Sequence, residues 1–332
     1  MDRLQLLEYW LKALYPDQPC TLSPASADAS FRRYFRASLP GKTLIVMDAP
    51  PQQEDCRPFL HAASIFSRAS VHVPAIVAQD LNQGFLLLSD LGTTTYLQAL
   101  TAAPENANRL YQDAIDALIK IQCASQKNIF PEYDRILLSR ELELFPDWYM
   151  TRHLHAPPDD DQKNTLKTVF NLILANNLAQ PQVFVHRDYH SRNLMVSTPN
   201  PGIIDFQDAV LGPITYDLVS LFKDAYIQWE EAQILDWMIR YWEKARHAGL
   251  PVATDFSIFY RDFEWMGVQR HLKVLGIFAR LCYRDNKPTY LQDMPAIMQY
   301  LRQTCERYSE LHPLSRLLDR LEDRQAETGY TF

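Results

Sequence analysis

Glycine is scarce in this chain, with nine in 332 residues, at positions 41, 84, 92, 202, 212, 249, 267, 276 and 329. No two stand close enough for G-x-G-x-x-G or for G-x-x-x-x-G-K-[ST], so a fingerprinted dinucleotide fold and a Walker loop are both excluded. Any nucleotide bound here must be held by another device. Cysteine is equally thin: Cys20, Cys56, Cys123, Cys282 and Cys305 form no C-x-x-C pair, which rules out a sequence-local zinc knuckle and reads as buried, reduced thiols. There is no basic block. Lys+Arg 33 against Asp+Glu 40 gives a net charge of -7, without the electrostatic footprint of a nucleic-acid binder. Long apolar runs are missing too. The longest uncharged stretch, residues 168–185, carries Asn171, Asn176, Asn177, Gln180 and Gln182, which a bilayer core would not tolerate. The first ten residues, MDRLQLLEYW, lack the continuous apolar segment of a secretory peptide. The expectation is a cytoplasmic protein with neither membrane nor nucleic-acid partner and no obligate protein partner evident.

What is present is ample core material, 47% apolar and 12% aromatic, distributed in two textures. Leu4, Leu7, Trp10, Leu11 and Leu14 repeat at helical spacing. From Ser30 to Met47 the pattern alternates around Leu39-Pro40-Gly41-Lys42, which predicts a hairpin. Residues 54–69 can form a helix, and Val71–Val77 and Gly84–Ser89 are further strand candidates. Beyond Asp90-Leu91-Gly92 the chain becomes mainly helical, with one interruption at 183–206, where VFVH, NLMV and GIIDF read as short strands. The predicted layout is α+β and bilobal: a small β-rich N-lobe at 1–90 with a hinge at 86–92, and a larger, mainly helical C-lobe at 91–332.

The interruption holds His186-Arg187-Asp188-Tyr189-His190-Ser191-Arg192-Asn193 and, after a turn, Asp205-Phe206-Gln207-Asp208. A hairpin over 194–204 brings Asp205 back beside Asn193. A carboxylate and an amide there are hard oxygen donors suited to Mg²⁺, which is held by one or two protein groups plus phosphates and waters. Asp188 is left to accept a proton. Phosphoryl transfer needs this division of labour.

This pattern resembles the protein-kinase-like aminoglycoside and choline phosphotransferases, most specifically over 183–221. The resemblance implies a protein-kinase-like fold, a catalytic loop at 186–193 with Asp188 as base, and a metal loop at 205–208. Asn193 and Asp205 would be the Mg²⁺ ligands. His186 would anchor the loop, and His190 would stand where protein kinases carry a Lys that reaches the γ-phosphate. Asp217 would be a buried acceptor for loop N–H groups, a role compatible with a simple helix N-cap. Gly84–Gly92 is similar to the strand and hinge that hold adenine through backbone groups, making Leu88 and Asp90 nucleotide-site candidates and ATP, or GTP, the cofactor.

Two departures narrow the resemblance. The third-strand V-A-I-K becomes Ile45-Val46-Met47-Asp48, an acid where the phosphate-binding Lys belongs, and the glycine-rich loop is replaced by Ser26–Arg36, whose small residues Ala27, Ala29 and Ser30 could admit a phosphate. An Arg from the next strand, Arg33, is the candidate replacement clamp. With SFRRYFR, GFLLLSDLG, ELELFPDWYM and FEWMGVQRHLKVLGIFARL, the chain is similar nearly end to end to the bacterial anomeric kinases of N-acetylmuramate and N-acetylglucosamine. That resemblance implies an amino-sugar acceptor, a sugar 1-phosphate product and a place in peptidoglycan recycling. Candidate acceptor contacts are Glu143 and Asp224, with Arg270 as a partner for a lactyl carboxylate. Residue spacing does not separate a sugar from choline, an aminoglycoside or homoserine, and the missing strand Lys leaves a nucleotide-binding pseudokinase open.

Overall fold

The computed structural model describes residues 2–27 and 32–329. In chain order its elements are α1 (Arg3–Leu14), β1 (Thr21–Ala27), β2 (Arg33–Leu39), β3 (Lys42–Asp48), α2 (Arg57–Arg68), β4 (Ile76–Asp80), β5 (Phe85–Ser89), α3 (Tyr96–Ala102), α4 (Ala107–Cys123), α5 (Arg135–Leu142), a π-helical segment (Phe145–His153), α6 (Asp160–Ala179), β6 (Gln182–Val185), β7 (Leu194–Met195), β8 (Gly202–Ile203), β9 (Val210–Pro213), α7 (Tyr216–Phe222), α8 (Glu231–His247), α9 (Phe256–Tyr283), α10 (Met294–Arg307) and α11 (His312–Gly329). Contacts divide the chain into two compact units, Met1–Ala117 with Asn193–Asp208, and Leu118–Arg192 with Ala209–Phe332.

Alternation builds the first unit. Its antiparallel five-stranded sheet has the order β1-β2-β3-β5-β4. Ala37 and Leu39 of β2, Leu44 and Val46 of β3, and Phe85 and Leu87 of β5 lie two apart in each strand, so they share one face. Leu7 and Leu11, one helical turn apart on α1, complete that cluster. The β2–β3 turn works because Pro40 presets its own φ and Gly41 supplies a left-handed one (+78°). Helix α1 starts at a capping box in which Asp2 accepts the Gln5 N–H and the Gln5 side chain accepts the Asp2 N–H.

Two expectations need correction here, the strand at Val71–Val77 and the burial of the cysteines. The strand read at Val71–Val77 begins only at Ile76, because Pro74 cannot donate to a ladder and leaves His72 a single bridge to Gly202. The division into compact units runs through α4, and the β7–β8 hairpin belongs to the first unit: Ile203 N–H donates to His72 O (2.8 Å) and Val196 N–H to Thr94 O (2.9 Å). The five cysteines are free, but only Cys56 and Cys305 are buried, and Cys123 is exposed. Ala29 and Ser30 of the phosphate-loop candidate lie outside the described residues.

In the second unit β6 pairs antiparallel with β9, a strand that the short V-L-G-P run did not announce. Helix α9 is buried along most of its length, so it is apolar on nearly every side, and its polar exceptions Glu264, Gln269, Arg270, His271 and Lys273 are themselves buried. Among the described residues no helix is long and apolar enough to cross a membrane. Gly276 is where α9 meets the backbone ahead of the π-helical segment: a Cβ there would stand 2.4 Å from Leu144 C and O. Gly276→Ala should therefore cost about 1–3 kcal/mol through overpacking against backbone that cannot rotate away. A lowered urea midpoint checks this, and an unchanged midpoint would refute the contact.

Candidate active site

Strand β6 ends at Val185, and the chain then runs through His186–Arg192 with no regular ladder to hold it. Side chains hold it instead. Asp217, fully buried on α7, accepts the N–H groups of His186 (2.6 Å) and Arg187 (3.0 Å). Burial pushes its carboxyl up to about 7, against the two donors and Arg270, which pull it down. Asp224, also buried, accepts the N–H groups of Ser191 (2.9 Å) and Tyr226 (3.1 Å). His186 Nδ1 accepts the Asp188 N–H (3.2 Å), which requires the ring proton to sit on Nε2. Arg187 takes a left-handed φ of +75°, a cost that a bulky residue bears only where its surroundings over-determine it. They do: its guanidinium donates to Glu141 (2.7 Å) and lies over the Tyr133 ring (5.3 Å).

Glu141 is the knot under the loop. Lys273 of α9 meets it at 2.9 Å and also donates to Tyr216 Oη (2.8 Å), while Tyr133 Oη donates to the same carboxylate. Burial alone would push Glu141 up, but Lys273 and Arg187 hold it below the usual range. Arg270 is buried and donates to Arg187 O (3.4 Å). Asp188 itself is partly exposed. Desolvation raises its carboxyl, but the cations Lys273, Arg270 and Arg187 outweigh that and bring it to about 2. Asp188 is therefore an ionised, oriented acceptor at neutral pH. His190 is buried against Tyr226 (ring centroids 5.3 Å), with no hydrogen-bond partner at Nδ1. Burial lowers its pKa and keeps it neutral, so it offers a hydrogen bond where the expected lysine stand-in would offer a charge.

In the first unit, Ile204 N–H donates to Asn193 O (3.1 Å) and extends the β7–β8 pairing to the hairpin mouth. There Asn193 Nδ2 lies 3.3 Å from Asp205 Oδ2, and Gln207 Nε2 donates to Asp205 Oδ1 (2.9 Å). Asp205 has a left-handed φ of +64°. The adjoining Phe206 is fully buried against Phe59 (4.9 Å) and Phe66 (5.8 Å) of α2, which fixes the turn. An amide and a carboxylate at one mouth form a two-oxygen donor set that fits Mg²⁺, whose remaining positions go to phosphate and water.

The other nucleotide candidates are spoken for. Asp48 is fully buried and clamped by Arg3 (Nε, 2.8 Å) and Arg33 (Nε, 3.0 Å), so Arg33, half-exposed, is paired with this carboxylate. The acid at the lysine position is thus a pin between α1, β2 and β3. Leu88 sits inside β5, paired with both Ile45 and Ile76, and its backbone belongs to the ladder, not to the hinge. Asp90 accepts Arg36 (2.6 Å) and the Gly92 N–H (3.0 Å), which shapes the hinge. On the acceptor side, Asp224 has its oxygens on backbone N–H groups and Arg270 is buried beneath the loop, so neither presents itself to a sugar as expected; Glu143 is exposed at the C-terminal end of α5. Sequence reasoning passed over Lys273, Tyr133 and Tyr216. The signal for Lys273 was its place three residues after Arg270, in a helix that otherwise reads apolar.

The chain matches the phosphotransferase enzyme family over residues 21–250, and it belongs to that family. Among curated proteins it is similar to the N-acetylmuramate/N-acetylglucosamine kinase of Pseudomonas aeruginosa, 50% identical over 326 residues that cover 95% of this chain and 96% of that protein. The protein of the same name from Neisseria meningitidis is 48% identical over 336 residues, covering 100% of both. Solved structures of similar fold include an ADP-bound aminoglycoside phosphotransferase (TM-score 0.60, 14% identity, covering 90% of this chain and 98% of that one) and the choline kinase LicA of Streptococcus pneumoniae (TM-score 0.64, 11% identity, 91% and 100%). The fold is thus the α+β, protein-kinase-like one.

Because the Asp188 pKa is depressed from its ordinary 3.8 to about 2, the stability it contributes is present above pH 4 and lost as pH falls towards 2. Asp188→Asn should therefore be less stable than the parent at pH 7, with the gap closing below pH 4. Urea denaturation across pH 3–7 reads this directly, and a constant gap would contradict the ionised state.

Proposed function

We propose that the chain transfers the γ-phosphoryl group of ATP to the anomeric hydroxyl of N-acetylmuramate and N-acetylglucosamine. That it is a kinase of the phosphotransferase family is shown by its full-length relatives. Two features support the finer reading: Asp188, an ionised carboxylate on a loop pinned from three sides, which supports phosphoryl transfer to a hydroxyl, and the names that the full-length relatives carry. The second is the observation that carries the acceptor.

A carboxylate held near 2 is a weak base. It suits phosphoryl transfer, whose loose transition state asks the protein to position the attacking hydroxyl and to take its proton late, as the O–P bond forms. Asp188 orients the sugar hydroxyl and accepts that proton on its carboxylate. Asn193 Oδ1 and the Asp205 carboxylate are the groups that would hold Mg²⁺. When bound, the metal supplies neutralisation of phosphate charge. His190, neutral, donates a hydrogen bond to a phosphate oxygen. The hinge at 89–92, shaped by the Arg36–Asp90 pair, offers backbone groups to the base. The product, a sugar 1-phosphate, belongs to peptidoglycan recycling.

Asp188→Asn should lower turnover of amino sugars by about 10²–10⁴-fold while retaining thermal stabilisation by nucleotide. Asp205→Ala should instead lose the Mg²⁺-dependent part of that stabilisation. ADP release measured with N-acetylmuramate, N-acetylglucosamine, choline and an aminoglycoside checks both variants and the acceptor. Unimpaired turnover by Asp188→Asn would overturn the mechanism, and turnover of choline or the aminoglycoside alone would overturn the acceptor.

A further inference from the structure

Arg192 is the one residue of the 186–192 segment that is well exposed, with 42% of its side chain accessible. Its neighbours are tied down. Ser191 N–H is fixed by Asp224, and His190 is packed edge-on against Tyr226. Arg192 itself lies flat on the other half of that arrangement: its guanidinium carbon is 3.6 Å from the Tyr226 ring centroid and 5.7 Å from that of Tyr290. Those rings are in turn backed by Phe278 of α9, 6.1 Å from Tyr226 and 5.2 Å from Tyr290. A guanidinium clamped on aromatic faces has paid its rotamer entropy before any ligand arrives and keeps its in-plane N–H edge for hydrogen bonding. Among the described residues its carboxylate neighbour is Asp293, at 4.0 Å, a long single contact and not the bidentate pair that an arginine makes when it is satisfied. Arg192 stands four residues along the chain from Asp188 and shares the Tyr226 ring with His190, so the loop that carries the acceptor carboxylate also carries an accessible guanidinium.

The two acceptors differ in one such group: N-acetylmuramate carries a lactyl carboxylate and N-acetylglucosamine does not. We infer that Arg192, held flat by Tyr226 and Tyr290, binds the lactyl carboxylate and sets the preference between the two sugars. This assignment rests on the amino-sugar reading above and moves the carboxylate partner from buried Arg270 to an accessible guanidinium.

The test compares kcat/KM for both sugars in the parent and in Arg192→Gln. The preference for N-acetylmuramate over N-acetylglucosamine should fall about 10- to 100-fold, carried by KM for N-acetylmuramate and partly restored in Arg192→Lys, as loss of one charge-assisted contact requires. The methyl ester of the lactyl group should lose the same preference with the parent enzyme, and ester and Gln variant should not add. That arm needs no altered protein, so a variant that misfolds does not remove the test. A preference ratio unchanged in Arg192→Gln, a parent enzyme indifferent to the ester, or a KM rise confined to ATP, which would make Arg192 a phosphate ligand, overturns the inference. A parent enzyme that phosphorylates neither sugar instead overturns the reading beneath it.

Discussion

A loop without secondary structure must be held by something other than a ladder, and at 186–192 that something is the buried carboxylate. Asp217 and Asp224 each accept two backbone N–H groups from the loop or the turn beside it, and Glu141 gathers Arg187, Lys273 and Tyr133 beneath it. Each would be costly if left unpaired, because a charge taken from water without partners is destabilising by several kcal/mol. Fully partnered, they convert a flexible segment into a fixed frame. The left-handed Arg187 and the depressed pKa of Asp188 are consequences of that frame: the cations that satisfy Glu141 are also those that keep Asp188 ionised.

The first unit uses the same device for different ends. Asp48, at the position where protein kinases carry a phosphate-binding lysine, is enclosed by Arg3 and Arg33 and joins the opening helix to two strands of the sheet. Asp90 joins Arg36 to the Gly92 N–H and so sets the turn after β5. At the mouth of the β7–β8 hairpin, Asp205 is met by amides, one from Asn193 and another from Gln207. Asp48 and Asp90 thus serve as structural carboxylates, and Asp205 is the one proposed above to hold a metal.

This distinction explains what could and could not be read from the residues. The β2–β3 hairpin, the 194–203 hairpin and the long helices follow from period 2 and period 3.6, and the H-R-D-x-x-x-x-N then D-F spacing marked Asp188, Asn193 and Asp205, because local spacing along a loop and a tight hairpin survives folding. Partners far apart in sequence do not show. Nothing near Asp48 announces Arg3, forty-five residues away, and nothing near Arg187 announces Glu141, so Arg33, Asp90, Asp224 and Arg270 read as ligand contacts when the structure gives them internal partners. Strand β9 escaped for a related reason: four apolar residues ending in Gly-Pro become a strand only when β6 lies beside them.

The central claim is that a fixed, ionised Asp188 directs the γ-phosphoryl group of ATP to the anomeric oxygen of an amino sugar. Proton-coupled phosphorus NMR of the purified protein with Mg²⁺, ATP and N-acetylglucosamine tests it most directly. The account predicts a new phosphomonoester resonance split into a doublet by the single anomeric proton. A triplet-like resonance, from a phosphate on the primary hydroxyl, or no new resonance beyond those of ATP and its hydrolysis products, would contradict it.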